Sequence, residues 1–129
     1  MTIQDNAKIL YVEDDEAIRE LTSEILRSNG YDVVAASSSE EALRAFDAHD
    51  RFDLLVTDLR LPGIDGRELV KQARQTQADL RVVMVTGCPG EAAREDASVD
   101  ERSTLLGKPF TLRQLLGCVR SALSQRLAT

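Results

Sequence analysis

The fold of this chain is decided by the stretch Leu54-Leu55-Val56-Thr57-Asp58-Leu59-Arg60-Leu61-Pro62-Gly63-Ile64-Asp65-Gly66. Its short apolar start, from Leu54 to Thr57, is typical of a strand buried on both faces. The strand ends at an acid, Asp58, and passes into a Pro-Gly turn, which is a strong local stop signal. Because ligands of open α/β sheets bind at the carboxyl ends of the strands, we take Asp58 as the candidate reacting group.

Strands and helices are predicted to alternate along the rest of the chain. Four further apolar runs predict strands, at Lys8–Val12, Val33–Ala36, Arg81–Val85 and Thr104–Leu106. Apolar residues at helical spacing follow the predicted strands, and three helices have capping signals, in Ser38 with Glu41, Asp65 with Glu68, and Thr111 with Gln114. The first helix has a stop signal in Asn29-Gly30. This alternation predicts right-handed crossovers and a parallel sheet in one α/β domain.

The segment from Cys88 to Ser103 is the weakest part of this pattern. It is polar, contains Pro89-Gly90 and carries few apolar residues. A helix over residues 91–97 would therefore bury only a thin stripe, and we expect it to be short or irregular.

Composition narrows the function classes. The 129 residues, 43% of them hydrophobic, fit one globular domain covering 1–129. A net charge of −6 argues against direct nucleic-acid binding, which needs clustered Lys and Arg, but permits a divalent-cation site. The sequence has no apolar run of membrane-spanning length and no signal-peptide pattern, so we expect a cytoplasmic chain without membrane insertion. Cys88 and Cys118 do not have the spacing of metal ligands, and we expect both to be reduced thiols.

Polar residues of complementary type end four of the predicted strands. They are Glu13 and Asp14 after the first strand, Asp58, Thr86 and Lys108. Because the carboxyl ends of parallel strands share one edge of the sheet, we expect these side chains to meet.

Several of these residues also have a purely structural interpretation, because each signal alone is weak. Asp14 or Asp15 could cap the first helix, close to the positive end of its dipole. Thr86 could be an ordinary strand-end hydroxyl, and Lys108 a solvated charge. Only their joint placement favours a functional site.

A site of this composition suits a hard divalent cation. Gathered carboxylates repel one another, and one of them would tend to take up a proton. Mg2+ relieves that conflict, because it prefers oxygen ligands, uses few carboxylates and joins readily to phosphate. A phosphoryl group arriving at Asp58 would need charge neutralisation and positioning, which the cation, Lys108 and the Thr86 hydroxyl would supply.

These motifs resemble the receiver domain of two-component response regulators. The matching pieces occur in the order and approximate spacing of that family, at Val12–Asp15, Asp58–Gly66, Val85–Gly87 and Lys108–Phe110. The resemblance covers nearly all of the chain. It implies a flavodoxin-like (βα)5 fold, a doubly wound parallel five-stranded sheet in the order 2-1-3-4-5.

The resemblance also implies a Mg2+ site and a phosphoacceptor. Asp58 matches the aspartate that takes a phosphoryl group from a histidine kinase or a histidine phosphotransfer protein. Asp14 matches the direct metal ligand, Glu13 the second acidic position, which often acts through water, and the backbone carbonyl of Arg60 the remaining protein ligand. Asp15 matches a less regular third position and stays outside this set.

The carboxyl-terminal part of the resemblance implies the phosphate-binding groups. Thr86 and Lys108 match the hydroxyl and the cation, and the Lys108-Pro109 bond is expected to be cis. The chain departs from the family at Leu105, where receivers often carry Phe or Tyr, so an aromatic flip cannot report activation here. The irregular segment 88–103 is a second departure, and similar ones occur in receivers attached to hybrid sensor kinases.

The leading hypothesis is a phosphorylation-controlled signalling module, not a turnover enzyme, that acts on a downstream protein target. One alternative is a Mg2+-dependent phosphohydrolase that forms an aspartyl phosphate, although such enzymes commonly place a second acid where Arg60 stands. Another is a receiver-like binding module that works without phosphorylation. A weaker hypothesis is that Arg60 and Cys88 border the phosphate, and that Arg60 screens the phosphoryl group from attacking water.

Overall fold

The fold is a parallel sheet flanked by helices, as predicted. A computed structural model describes residues 7–48, 51–61, 63–87 and 102–128. The elements are β1 (Lys8–Val12), α1 (Glu16–Ser28), β2 (Asp32–Ala36), α2 (Ser39–Ala48), β3 (Leu54–Asp58), α3 (Gly66–Thr76), β4 (Arg81–Thr86), β5 (Ser103–Gly107) and α4 (Leu112–Ala128). The five strands are ordered β2-β1-β3-β4-β5, which confirms the predicted topology. The helix predicted over 91–97, together with Cys88, lies outside the described residues.

Two hydrophobic cores lie on opposite faces of the sheet because side chains alternate along each strand. One core joins the sheet to α1 and α4, and its members include Ile9, Tyr11, Leu26, Leu54, Val56, Leu115 and Val119. The other joins it to α2 and α3, and its members include Leu10, Phe46, Leu55, Leu69, Val70 and Met84. In the part of the chain described, no helix combines the length and the apolar character that a membrane span requires.

The register of the central strands aligns their carboxyl ends. All of β3 is buried, as the apolar run before Asp58 predicted. Asp58 lies opposite Val85 of β4, and Thr86 lies opposite Gly107 of β5. A further bond from the Leu59 N–H to the Val85 carbonyl, 3.0 Å long, ties the end of β3 to the end of β4. The three strands that carry Asp58, Thr86 and Lys108 therefore end side by side.

The start of α1 decides between the two acids that could cap it. Asp15 is the N-cap, because its Oδ1 accepts a 3.0 Å hydrogen bond from the Ile18 N–H. Asp14 is thus not needed for this role. At the other end Gly30, at φ 93°, completes the predicted stop in the left-handed conformation that a glycine adopts without strain.

The other predicted caps form with one variation. Thr111 and Gln114 make a reciprocal capping box, with bonds of 2.8 and 3.1 Å. Asp65 caps α3 by accepting from the Glu68 N–H at 3.1 Å. Ser38 accepts a hydrogen bond from the Glu41 N–H at 3.2 Å, whereas the Glu41 carboxylate accepts one from the Ser37 hydroxyl at 2.8 Å.

A buried amide joins the end of α3 to the start of β3. Gln77 is 7% exposed, and its Oε1 accepts from the Phe52 N–H at 3.1 Å while its Nε2 donates to the Phe52 carbonyl at 2.6 Å. Both main-chain groups of Phe52 are thereby paired through one side chain. Buried backbone groups that lose such partners are costly.

We expect Gln77→Ala to lower the free energy of unfolding by about 2–4 kcal/mol, because it leaves two buried backbone groups of Phe52 without these partners. Urea denaturation measures the change. Gln72→Ala is the matched control on the same helix, since Gln72 donates only to a partly buried Glu68 carboxylate and should cost less than about 0.5 kcal/mol. Equal losses of stability in the two variants would contradict this role of the Gln77 side chain.

Candidate functional site

Asp58 is held at the end of β3 by one contact to each carboxylate oxygen. The residue is only 7% exposed. Its Oδ1 accepts a 3.0 Å hydrogen bond from the Arg60 N–H, which is two residues further along the turn. Its Oδ2 makes an ion pair and hydrogen bond with the Lys108 ammonium. The carboxylate is therefore shielded, charge-compensated and fixed in orientation.

Lys108 reaches Asp58 from the loop after β5. Its backbone N–H donates to the Thr86 carbonyl at 2.8 Å, which continues the pairing of β4 with β5. The peptide bond between Lys108 and Pro109 is cis, as predicted. The Lys108 side chain is 44% exposed while that of Asp58 is 9% exposed, so the ammonium covers the carboxylate from the solvent side.

Thr86 lies between these two charged residues in strand order. It is buried and is the last residue of β4, which separates β3 from β5 in the sheet. The sequence prediction that Asp58, Thr86 and Lys108 come together at one edge agrees with their places in the structure. Their chemical roles remain predictions.

Glu13 brings the first strand into the same electrostatic environment. It follows β1, is buried, and its backbone N–H donates to the Ala36 carbonyl at 3.0 Å. Burial is the main cause that raises the pKa of Glu13, and the Asp14 side chain and the charge of Asp58 raise it further. The Asp15 N–H, 3.2 Å from Glu13 Oε2, and the charge of Lys108 oppose that rise. Negative charge on the neighbouring acids is therefore concentrated around the buried Glu13 carboxyl.

The donor set fits a hard cation better than a soft one. The carboxylates near Asp58 offer oxygen, and Asp14 is exposed to solvent. Among the residues that the structure describes, no group of three or more His, Cys, Asp or Glu side chains is arranged to hold a metal ion by itself. Mg2+ is the cation that suits such a site, since it takes one or two carboxylates and keeps several waters.

Two remaining sequence predictions concern Arg60 and Leu105. Arg60 is exposed, and the contact it makes to Asp58 comes from its backbone N–H. Leu105 is half-buried, lies opposite Met84 in β4 and packs against the core shared with α2 and α3. Leu105 therefore fills apolar space at the point where many receivers carry an aromatic ring.

Sequence reasoning missed the role of Gly66, although the residue lies in the stretch quoted first. A Cβ built on Gly66 would lie 2.3 Å from the Asp58 carbonyl oxygen and 2.8 Å from the Leu59 Cα. The Gly66 N–H donates to the Leu59 carbonyl at 2.8 Å. The start of α3 can thus pack directly on the backbone of the candidate reacting residue only because Gly66 has no side chain. The signal was a glycine at the first position of a predicted helix.

We expect Gly66→Ala to destabilise the protein by at least about 3 kcal/mol, because the methyl group would overlap backbone atoms that cannot move aside cheaply. The matched control is Gly117→Ala in α4, where an added Cβ meets nothing within 4 Å. That change should raise stability by about 0.5–1 kcal/mol through helix propensity. Thermal and urea unfolding measure both, and a neutral Gly66→Ala would contradict the close approach.

The raised pKa of Glu13 predicts a pH-dependent penalty in the metal-free protein. The folded state holds the Glu13 proton to a higher pH than the unfolded chain, whose ordinary value is 4.5. As pH rises from there through the folded pKa, ionisation of Glu13 lowers stability. In buffer with a chelator, Glu13→Gln should therefore be more stable than the wild type at pH 7, and this advantage should shrink as pH falls through the folded pKa and be absent below about 4.5.

Urea unfolding across pH measures this difference. Glu20→Gln is the control, because it removes the same charge from an exposed position on α1. If both variants gain equally at pH 7, the effect comes from net charge and not from the buried carboxyl.

Comparison with known proteins identifies the family. A family model of the response regulator receiver domain matches residues 9–120. The chain belongs to this family. It is a receiver domain, and thus a signalling module of two-component systems, as the sequence resemblance predicted.

Individual relatives agree with this assignment. The response regulator MprA of Mycobacterium leprae is 40% identical over 119 residues, which make up 90% of this chain and 50% of MprA. The sensor kinase CckA of Brucella abortus is 33% identical over 122 residues, or 94% of this chain and 13% of CckA. This receiver domain therefore spans half or less of the length of these two relatives.

A solved structure matches the receiver domain over nearly its full length. The crystal structure of a CheY-like response regulator receiver domain protein from Methanospirillum hungatei has a TM-score of 0.83 and 31% sequence identity. The match covers 95% of this chain and 98% of that one. Receiver domains in general depend on Mg2+ and interact with histidine kinases or phosphotransfer proteins and with downstream targets.

Proposed function

We propose that Asp58 is the phosphoacceptor of this receiver, and that a histidine kinase or histidine phosphotransfer protein is its donor. The observation that carries this proposal is the shielded Asp58 carboxylate in contact with the Lys108 ammonium. The Lys108 ammonium compensates the buried charge while its side chain stays 44% exposed, an arrangement that is open to an incoming anion. This ion pair lies beside Glu13, a buried carboxyl with a raised pKa, and such a combination is a physical reason to infer a functional site.

The surroundings of Asp58 suit phosphoryl transfer. An Asp58 oxygen forms the new bond to phosphorus while the bond from phosphorus to the donor imidazole breaks. The Arg60 N–H keeps the carboxylate in one plane by binding Oδ1, 3.0 Å away. Lys108 and the Thr86 hydroxyl then bind the oxygens of the transferred group. Catalysis of this reaction rests mainly on such positioning and charge stabilisation.

Mg2+ is the cofactor we propose for this site. Asp14, Asp58 and the backbone carbonyl of Arg60 would hold it directly, and Glu13 would act through water. When bound, the cation would supply positive charge against the phosphoryl oxygens. Its site is supported by the excess of carboxylates around Glu13, whose pKa is raised by burial and by the neighbouring acids.

The output of the module is a change of protein contacts. Phosphorylation adds charge and acceptor oxygens at one edge of the sheet, which can bias a surface between two states. We propose that residues 1–129 act as one cytoplasmic receiver that catalyses its own phosphorylation and the slow hydrolysis of its acyl phosphate. Leu105 limits the switch to an aliphatic or backbone rearrangement.

We expect Asp58→Asn to abolish phosphorylation by a small-molecule acyl phosphate in the presence of Mg2+, because an amide is a far weaker nucleophile than a carboxylate. Intact-protein mass spectrometry detects the added phosphoryl group. Asp79→Asn is the control, since Asp79 forms an exposed ion pair with Arg51 away from the site. It should be phosphorylated as the wild type is.

Three results would overturn the proposal. Stoichiometric, stable labelling of Asp58→Asn would place the acceptor elsewhere. Release of many phosphates per chain from an unactivated monoester would show the phosphohydrolase instead. A wild type that is never labelled, with or without Mg2+, would support a receiver-like module that works without phosphorylation.

A further inference from the structure

The loop between β1 and α1 carries Glu13 and Asp14, so its backbone orientation decides where these acids point. The loop is short and is tied at its end by Asp15, which caps α1. The Asp15 N–H also donates to Glu13 Oε2 at 3.2 Å. These bonds hold the end of the loop but leave the peptide carbonyls of Glu13 and Asp14 to be fixed by other groups.

Arg19 supplies these bonds. Its Nη1 donates to the Glu13 carbonyl at 2.9 Å and lies 3.5 Å from the Asp14 carbonyl. The backbone of Arg19 is itself anchored, since its N–H donates to the Asp15 carbonyl at 2.9 Å in the first turn of α1. A planar guanidinium that reaches back over its own helix start is well suited to hold two adjacent carbonyls.

The surroundings of Arg19 are partly shielded from solvent. Arg19 is half-buried and lies within electrostatic reach of the Tyr11 hydroxyl. The contacts that fix the Arg19 guanidinium are therefore those to the loop that follows β1.

We propose that Arg19 is a positioning residue, which orients the peptides of Glu13 and Asp14 so that their carboxylates bind the divalent cation. This inference rests on the proposed Mg2+ site. Arg19 does not touch the cation in this proposal. It acts by restricting the two peptide planes, and thereby reduces the ordering that cation binding would otherwise require.

Electrostatics alone predicts the opposite effect, which makes the inference easy to test. Arg19 is a positive charge beside a cation site, and its removal should tighten Mg2+ binding if only Coulomb repulsion mattered. If Arg19 positions the loop, its removal should weaken binding. The direction of the change in the Mg2+ Kd therefore distinguishes Coulomb repulsion from loop positioning.

The experiment titrates the metal-free chain with Mg2+ alone and follows the backbone amide NMR signals of residues 13–15 and 58–60. We expect Arg19→Gln to raise the Mg2+ Kd about tenfold, the size of effect typical when a group that orients metal ligands is lost. We also expect the amide signals of Asp14 and Asp15 to shift or broaden before any metal is added. Arg19→Lys, which can reach one carbonyl, should recover part of the affinity.

Arg27→Gln is the matched control. Arg27 lies on the same helix, carries the same charge and donates to a backbone carbonyl, that of Val33, at 2.9 Å. It should leave the Mg2+ Kd within about twofold of the wild type, since charges separated by more than a Debye length are largely screened.

The outcomes are distinguishable. An unchanged or lower Kd for Arg19→Gln, or an equal rise for Arg27→Gln, overturns the positioning role while the Mg2+ site stands. If the wild type shows no Mg2+-dependent shift, the proposed metal site fails and the inference falls with it. Should Arg19→Gln not fold, Arg19→Lys decides: a Kd equal to that of the wild type, with unchanged loop signals, also overturns the role.

Discussion

The contact between the Lys108 ammonium and the Asp58 carboxylate links strands that are not neighbours in the sheet. Asp58 ends β3 and Lys108 follows β5, with β4 between them. The lysine side chain therefore passes over the end of β4, where Thr86 lies. A carboxylate as shielded as Asp58 would be costly without this partner, because a buried charge left uncompensated destabilises the fold. The same ion pair thus stabilises this edge of the sheet and holds the candidate reacting carboxylate in place.

The acids around Asp58 concentrate negative charge at this edge of the sheet. Burial and neighbouring negative charge raise the pKa of Glu13, so the folded chain bears a penalty whenever that carboxyl ionises. In the proposed function, a divalent cation would offset this negative charge, so the feature that costs stability in the metal-free receiver is also the one that a cation would relieve.

The backbone around the site is held by groups that take no part in the chemistry. Gly66 allows α3 to lie against the Asp58 backbone, where a Cβ would come within 2.3 Å of the carbonyl oxygen. Asp15 caps α1, and Arg19 binds the carbonyl of Glu13. On both sides of the site, a short turn leads from a buried strand into a helix whose first residues fix that turn. Rigid elements hold reacting groups more reproducibly than free loops do.

The sequence by itself determined the alternation of strands and helices, the residues at the strand ends and, through resemblance, the receiver family and the strand order. Periodicity, caps and strand-end polar residues are local signals, so a linear pattern carries them. Only the tertiary structure decided that Asp15 and not Asp14 caps α1, that Gly66 must lack a side chain, and that Gln77 clamps Phe52. These features depend on how closely separate segments approach in space, and no local pattern of residues specifies such distances.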